Sequence, residues 1–198
     1  AFIQKVLTAI AGGTPPDVLT FSGVPVLAGK NALLPLDGYI KRDNFDLHNF
    51  LRYRVKVASW GGHQYGIPFS TSANSLLFYN KDLFREVGLD PERPPRTWKE
   101  LEEAAKKLTI IKNGKIERLG FVPNWGQGWL YVWTWANGGE VLAEDNRTLL
   151  IDQPEGIEAL EWMVRFADDI CGGTKAIAAF GERFQGLEQG PLYTGKIA

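Results

Sequence analysis

Apolar residues at helical spacing open the chain, and a pair of glycines ends the pattern. The positions from Ile3 to Ile10 predict a first helix that stops at Gly12-Gly13. Residues 17–21 form a short apolar run after two prolines, which predicts a buried strand. Because such a strand needs neighbours and cover on both faces, we expect an N-terminal segment before it that is not represented in this sequence.

Helix-like and strand-like stretches alternate from there onward. The apolar spacing predicts helices over residues 24–34, 46–59, 81–87, 98–108, 130–136 and from Pro154 to the glycines at 172–173. Shorter apolar runs predict strands over residues 63–69, 75–79 and 119–122, and residues 192–198 are open to a further strand. This alternation indicates an α/β protein.

Polar residues mark several of the element boundaries. Thr97 followed by Glu100 predicts a capping box at the start of one helix, and Asp152 followed by Glu155 predicts a second. Asn113-Gly114 between apolar residues predicts a tight β-hairpin turn.

Composition restricts the classes of function. Hydrophobic residues make up 44% of the 198 positions and charged residues 23%, which is ordinary for a soluble globular protein. The net charge of -1 gives no reason to expect nucleic acid as a partner. The single cysteine, Cys171, permits neither an intramolecular disulfide nor a cysteine-based zinc site, and no motif indicates a cofactor. No apolar run approaches the roughly 20 residues that a membrane helix needs.

Tryptophan is the compositional outlier, with seven residues, four of them between Trp125 and Trp135. Trp125, Gln127 and Trp129 stand in a glycine-containing loop between a predicted strand and a predicted helix. Loops at strand ends carry ligand contacts in α/β proteins, and a sugar presents apolar C–H faces to an indole and hydroxyl groups to an amide. We expect at least one of the two loop indoles to bind ligand; the alternative is that both cap the core. Trp133 and Trp135 are predicted to be core residues.

A second polar loop, residues 70–75, separates two of the predicted strands. Thr71, Ser72 and Asn74 in this loop can each form hydrogen bonds with a ligand. The alternative is a turn whose side chains satisfy their own backbone.

The sequence contains no recognisable catalytic set. His48 and His63 stand alone, without a neighbouring nucleophile or the spacing of metal ligands, so we expect them in surface or capping roles. Asp168 and Asp169 are adjacent on a predicted helix, and their diverging side chains cannot form an acid–base pair. We therefore expect a protein that is not an enzyme and holds no metal.

Five short motifs occur in an order that resembles a known family. They are GTPPDV at residues 13–18, YGIP at 65–68, FYNKDLF at 78–84, PRTW at 95–98 and NGG at 137–139. Together they are similar to the extracellular solute-binding proteins of carbohydrate-type ABC transporters, the group that includes maltose-binding protein. The resemblance implies a two-lobe α/β fold of the periplasmic-binding-protein type II, incomplete at both ends. Residues 1–73 would be a partial first lobe and residues 74–198 most of the second.

The resemblance also implies a function and further ligand contacts. Such proteins capture a sugar or oligosaccharide, deliver it to the permease of an ABC transporter, and work as monomers. They are exported, either to the periplasm or with a lipid tether on the outer face of the membrane. Phe21 and Ser22 match a family position that contacts ligand, as does the 70–75 loop, although Phe21 packing inside its lobe is an equal alternative. Neither segment carries the acidic residue of glucan-binding members, so the ligand cannot be inferred from maltose-binding protein.

Two other functions stay open on the sequence alone. One is a glycoside hydrolase-like enzyme, which needs two carboxylates roughly 5–10 Å apart across the sugar. No acidic residue is found at a predicted cleft-facing strand end. The other is a structural piece that binds nothing, and measurable binding of any sugar would exclude it.

Overall fold

The computed structural model describes residues 2–20, 23–69, 76–125, 129–145, 147–184 and 190–198. By its internal contacts the chain divides into two compact units, residues 1–73 and residues 74–198. Within the described ranges, no helix is both long enough and apolar enough to cross a lipid bilayer.

The first unit consists of short helices and one small hairpin. The helices are α1 (Phe2–Ala11), α2 (Val24–Ala28), α3 (Asp37–Arg42) and α4 (Arg52–Val57), with a 3₁₀ turn at Leu47–Asn49. Strands β1 (Ser59–Trp60) and β2 (His63–Gln64) pair antiparallel. Helix α1 confirms the first predicted helix. Gly13 follows it with a φ of +71°, and the amide of Thr14 donates to the carbonyl of Ala9 at 2.9 Å, as helix C-termini commonly do.

Two helix predictions for the first unit are wrong in extent. The predicted helix 46–59 is divided because Phe50 and Leu51 are extended, with ψ of 154° and 125°. Asp46 instead caps the 3₁₀ turn, where its carboxylate accepts a hydrogen bond from the amide of His48 at 2.8 Å. The predicted helix 24–34 ends at Ala28, and the turn after it places Asn31 at a φ of +53°.

The strands predicted for the first unit are shorter or absent. Residues 17–20 form no strand and leave Val18 87% exposed, because no strand of the described residues lies beside them. The predicted strand 63–69 is limited to β2. The amides of Tyr65 and Gly66 both donate to the carbonyl of Ala58, and so do not extend the ladder.

The second unit contains longer helices and a second hairpin. Its helices are α5 (Lys81–Glu86), α6 (Trp98–Leu108), α7 (Leu130–Ala136), α8 (Pro154–Cys171) and α9 (Thr174–Glu182). Strands β3 (Ile110–Lys112) and β4 (Lys115–Arg118) pair antiparallel around Asn113-Gly114, as predicted. Both turn residues have positive φ, 51° and 71°, which is the requirement of a type I′ turn.

The predicted cap of α6 is confirmed in its essentials. The hydroxyl of Thr97 accepts a hydrogen bond from the amide of Glu100 at 3.2 Å. The carboxylate of Glu100 accepts a hydrogen bond from the amide of Arg96 at 2.7 Å. In an ideal capping box it would accept from the amide of Thr97, one residue later.

Helix α8 begins at Pro154 as predicted but differs from its prediction in its cap. Its N-cap is Gln153 rather than Asp152, and no side chain caps it. The apolar stripe of Ile157, Leu160 and Val164 is about half exposed. The face that enters the core instead carries Ala159, Trp162, Phe166, Ile170 and Cys171.

Aromatic rings dominate the core of the second unit. Trp162 of α8 stacks on Trp98 of α6 with ring centroids 4.5 Å apart, and contacts Trp133 of α7 at 4.7 Å. Phe121 packs edge-on against Phe166 at 5.8 Å. These contacts fix α7 and the chain segment before it against α6 and α8.

The remaining strand predictions for the second unit are wrong. Residues 76–79 carry no strand, and Phe78 is 64% exposed. Of residues 119–122 only Leu119 pairs, in a single parallel bridge to Ile197. The last residues of the chain contribute that bridge and no longer strand.

Candidate functional site

The loop that carries Trp125, Gln127 and Trp129, here called the tryptophan loop, lies between β4 and α7 in the second unit. Its described flanks are residues 119–125 and the helix that begins at Leu130. The amide of Trp125 donates to the carbonyl of Val122 at 3.2 Å, which turns the chain immediately after Pro123. Gln127 falls outside the described residues, so its predicted role in binding stays a prediction.

Trp125 lies against the protein itself. Its ring meets Phe180 of α9 in an edge-on contact with centroids 6.1 Å apart. It also covers Gly181, where an added Cβ would lie only 3.3 Å from the indole. The side chain packs against the buried core of the unit, and this geometry favours the core-capping alternative for Trp125.

Trp129, unlike Trp125, is exposed to solvent. It is the N-cap residue of α7 and is 50% exposed. Its ring leans on Tyr131 with centroids 5.3 Å apart, and Tyr131 in turn contacts Trp135 at 5.1 Å. Of the two loop tryptophans, Trp129 is therefore the one that presents an indole to solvent.

The prediction that Trp133 and Trp135 are core residues is right for the first and wrong for the second. Trp133 packs among Trp98 and Trp162, and its indole N–H donates to the carbonyl of Pro123 at 2.9 Å. Trp135 is 53% exposed. Two residues along a helix turn a side chain by about 200°, so Trp135 shares the face of Tyr131 rather than that of Trp133.

The other predicted ligand contacts lie outside the described residues. They are Phe21, Ser22, Thr71, Ser72 and Asn74. Their roles, and their proximity to the tryptophan loop, stay predictions.

Arg118 and the charged side chains beside α5 and α6 form contacts that include none of the predicted site residues. Arg118 is buried and donates to Leu108 and to Glu86, at 2.8 and 3.0 Å. The hydrogen bond from Arg118 lowers the pKa of the Glu86 carboxyl. An open groove of about 570 Å³ beside α5 and α6 includes Phe84, Arg93 and neighbouring charged side chains, and none of the predicted site residues.

Titratable side chains give no sign of a reactive centre among the described residues. No group of three or more His, Cys, Asp or Glu side chains there is placed to hold a metal ion. Burial raises the pKa of the Cys171 thiol to about 12, which keeps it protonated and unreactive. His63 is exposed and its Nδ1 lies 3.2 Å from the Asp37 carboxylate.

Comparison with known proteins identifies the family. The family model described as bacterial extracellular solute-binding protein matches residues 1–170. The chain belongs to this family. The resemblance inferred from the five motifs is thereby confirmed.

Among curated relatives, this solute-binding protein is similar to a glycerol phosphate receptor. It is 33% identical over 134 residues to the sn-glycerol-3-phosphate-binding periplasmic protein UgpB of Salmonella typhimurium strain LT2, a match that covers 64% of this chain and 29% of the relative. The UgpB of Escherichia coli strain K12 is 42% identical over 71 residues, 36% of this chain and 15% of that one. The match thus spans less than a third of these relatives.

Among solved structures, the chain is similar to proteins that were solved with a carbohydrate bound. CpMnBP1 with mannotriose bound matches with a TM-score of 0.79 and 33% identity, covering 98% of this chain and 50% of that one. The ABC substrate-binding protein Lmo0181 from Listeria monocytogenes, in complex with cycloalternan, matches with a TM-score of 0.72 and 28% identity, covering 100% and 50%. The chain spans about half the length of these structures. The predicted two-lobe periplasmic-binding-protein fold class is confirmed.

Proposed function

We propose that this solute-binding protein captures a sugar or oligosaccharide outside the cytoplasm and delivers it to the permease of an ABC transporter. The observation that carries the proposal is Trp129, a half-exposed indole at the start of α7 in a chain of this family. A sugar ring has an apolar face that an indole can cover and hydroxyl groups around its edge that need polar partners.

The indole of Trp129 is available for both kinds of contact. Within the described part of the chain, its N–H has no hydrogen-bond partner. By contrast, the indole of Trp133 donates to a backbone carbonyl and that of Trp162 donates to Glu102 at 2.7 Å. A half-exposed ring whose donor is unpaired among the described residues suits an amphipathic ligand better than it suits the packing of the unit.

A second candidate ligand is a glycerol phosphate, favoured by the similarity to UgpB. The structural match to CpMnBP1 with mannotriose bound, at 33% identity over 98% of this chain, favours a sugar. A phosphate group is bound by cationic side chains and backbone amides. The exposed indole of Trp129 supplies aromatic surface instead, and we therefore rank the sugar first.

We infer that binding works by closure of two lobes. Residues 1–73 belong to the first lobe and residues 74–198 to the second, with Phe21, Ser22, Thr71, Ser72, Asn74 and Gln127 as further ligand contacts. A ligand favours the closed state only by its differential affinity for closed over open, and the permease responds to that state. No chemical step is needed, so the protein is a receptor and not an enzyme. It acts as an exported monomer, periplasmic or lipid-tethered.

Calorimetric titration tests the proposal. Mannose, mannobiose, mannotriose, maltotriose and sn-glycerol 3-phosphate are titrated into the purified protein, with chromatography of each sugar afterwards. We expect saturable binding of at least one sugar, no cleavage, and weaker binding of glycerol phosphate. Tightest binding of glycerol phosphate would replace the first candidate by the second. Hydrolysis of a sugar would establish an enzyme, and the absence of measurable binding for every sugar tested would reject sugar capture.

A matched pair of variants assigns the binding to the loop. Trp129→Ala removes an indole face of on the order of 100 Å², worth at most about 2.5 kcal/mol, and we expect a dissociation constant about tenfold to sixtyfold higher. Trp60→Ala is the control, because Trp60 is equally 50% exposed but lies on β1 of the first unit. Equal affinities for wild type and Trp129→Ala would show that the sugar binds elsewhere.

A further inference from the structure

Helix α7 carries aromatic residues on two faces, and among the described residues one of these faces packs in the core. Trp133 points into the aromatic core of the second unit. On the other face, Trp129, Tyr131 and Trp135 form a continuous row, with successive ring centroids 5.3 and 5.1 Å apart. We call these three residues the aromatic row. Two of its three rings are half exposed, at 50% and 53%.

The aromatic row also carries three polar atoms. Within the described part of the chain, neither the two indole N–H groups nor the Tyr131 hydroxyl has a hydrogen-bond partner. Aromatic side chains with a polar atom normally find a partner when they pack in a protein. The row therefore offers three adjacent aromatic rings, whose planes meet at 48° and 67°, together with three polar atoms that are unpaired among the described residues.

We propose that the aromatic row binds consecutive rings of an oligosaccharide, with Trp129 holding one sugar ring and Tyr131 with Trp135 holding the next. This inference rests on the proposed function and narrows its substrate class to oligosaccharides. A single sugar ring covers one indole, whereas the row extends over two successive centroid spacings of about 5 Å. A chain of at least two sugar rings is needed to cover it.

The size of the row argues against a protein as its occupant. A large aromatic side chain buries roughly 150–250 Å², so two half-exposed indoles and the partly exposed Tyr131 offer on the order of 300 Å². A stable protein interface buries about 800 Å² on each partner. The surface is suited to a narrow amphipathic ligand, and aromatic side chains joined to convergent polar groups are typical of small-ligand sites.

The test compares ligands of increasing length on Trp135→Ala, with Trp60→Ala as the control of equal exposure. Mannose, mannobiose and mannotriose are titrated into each protein by calorimetry. We expect the loss caused by Trp135→Ala to grow with length, from within about twofold for mannose to about tenfold for mannotriose. Trp60→Ala should leave all three affinities unchanged. A Tyr131→Phe variant keeps the ring and removes the hydroxyl, and a loss of about threefold or more for mannotriose alone would locate that hydroxyl at the second sugar ring.

The outcomes separate this inference from the proposed function. If the wild type binds sugars and Trp135→Ala has the same dissociation constant for every length of sugar, the aromatic row does not bind oligosaccharide. The proposed receptor function would be unaffected by that result. An equal loss for mannose and mannotriose also overturns the inference. If Trp135→Ala binds every sugar normally but transport in reconstituted vesicles is lost, the row is a permease contact instead. If wild type binds no sugar, the proposed function fails and the inference fails with it.

Discussion

Gly120 lies where the chain leaves β4 and approaches the tryptophan loop, and it has no room for a side chain. A Cβ added there would lie 2.5 Å from the carbonyl oxygen of Ala105 and 2.6 Å from its Cα. These are backbone atoms of α6, which cannot rotate away as a side chain would. The amide of Gly120 also donates to the Thr109 hydroxyl at 3.0 Å, which holds the segment in place. Gly120→Ala must therefore separate α6 from the segment that leads to Trp125.

The cost follows from the size of the clash. Forcing one extra methyl into a close-packed contact costs typically about 1–3 kcal/mol. For a unit of about 125 residues, the entropy of unfolding is on the order of 0.26 kcal/mol per degree. We therefore expect Gly120→Ala to lower the melting temperature of the second unit by about 4 to 11 °C.

Differential scanning calorimetry measures this shift, with Gly38→Ala as the control. Gly38 lies in α3, and an added Cβ there meets nothing within 4 Å. Alanine has the higher helix propensity, so the control should be neutral or more stable by up to about 1 kcal/mol. If Gly120→Ala melts within about 1 °C of the wild type, the close approach of Gly120 to α6 is wrong.

Three contacts of the second unit give further tests. Because the hydrogen bond from Arg118 lowers the pKa of Glu86, its stabilising contribution is present above the carboxyl's unfolded-state pKa and is lost as pH falls through the lowered value. Glu86→Gln should therefore flatten the fall in urea midpoint between about pH 7 and about pH 3, and an unaltered profile would contradict this. Trp133→Phe loses the donor to Pro123 and part of its ring packing, so its unfolding free energy in urea should fall by about 2 kcal/mol; a fall below about 0.5 kcal/mol would refute the contact. Cys171, with a pKa of about 12, should resist thiol reagents in the native protein and react after denaturation, whereas rapid native labelling would show that it is accessible.

Features that depend on neighbouring residues were predictable from the sequence. The Thr97 cap, the Asn113-Gly114 turn and the end of α7 at residues 137–139 all appear where the pattern predicts them. Each is decided by hydrogen bonds or φ values within about four residues. The residues next to each of these features therefore suffice to predict it.

Features that depend on distant partners were not predictable in the same way. The apolar runs at residues 17–20 and 76–79 have strand composition, yet a strand also requires a neighbour, and none pairs with them among the described residues. For α8, the apolar spacing predicted a helix but could not show that the side with Ala159 and Trp162 would pack against α6 and α7.

The candidate site shows the same division between local and distant information. Sequence composition and loop position identified Trp125 and Trp129 together, because both flank the same glycine-containing loop. The two differ in burial because Trp125 packs against Phe180 of α9, a helix that the sequence analysis did not predict. Trp135 was placed in the core because aromatic residues are usually buried, although its spacing from Trp133 already puts the two on opposite faces of a helix.

The most direct test of sugar capture at α7 is an NMR titration of the indole N–H signals. The seven tryptophans give seven resonances in the ¹⁵N-labelled protein, assignable with single Trp→Phe variants. On addition of mannotriose, we expect the Trp129 and Trp135 signals to shift with one saturating curve. The signals of Trp133 and Trp162, hydrogen-bonded in the core, should stay in place. Saturable binding that moves only the signal of Trp60, or that leaves Trp129 unmoved, would contradict the account.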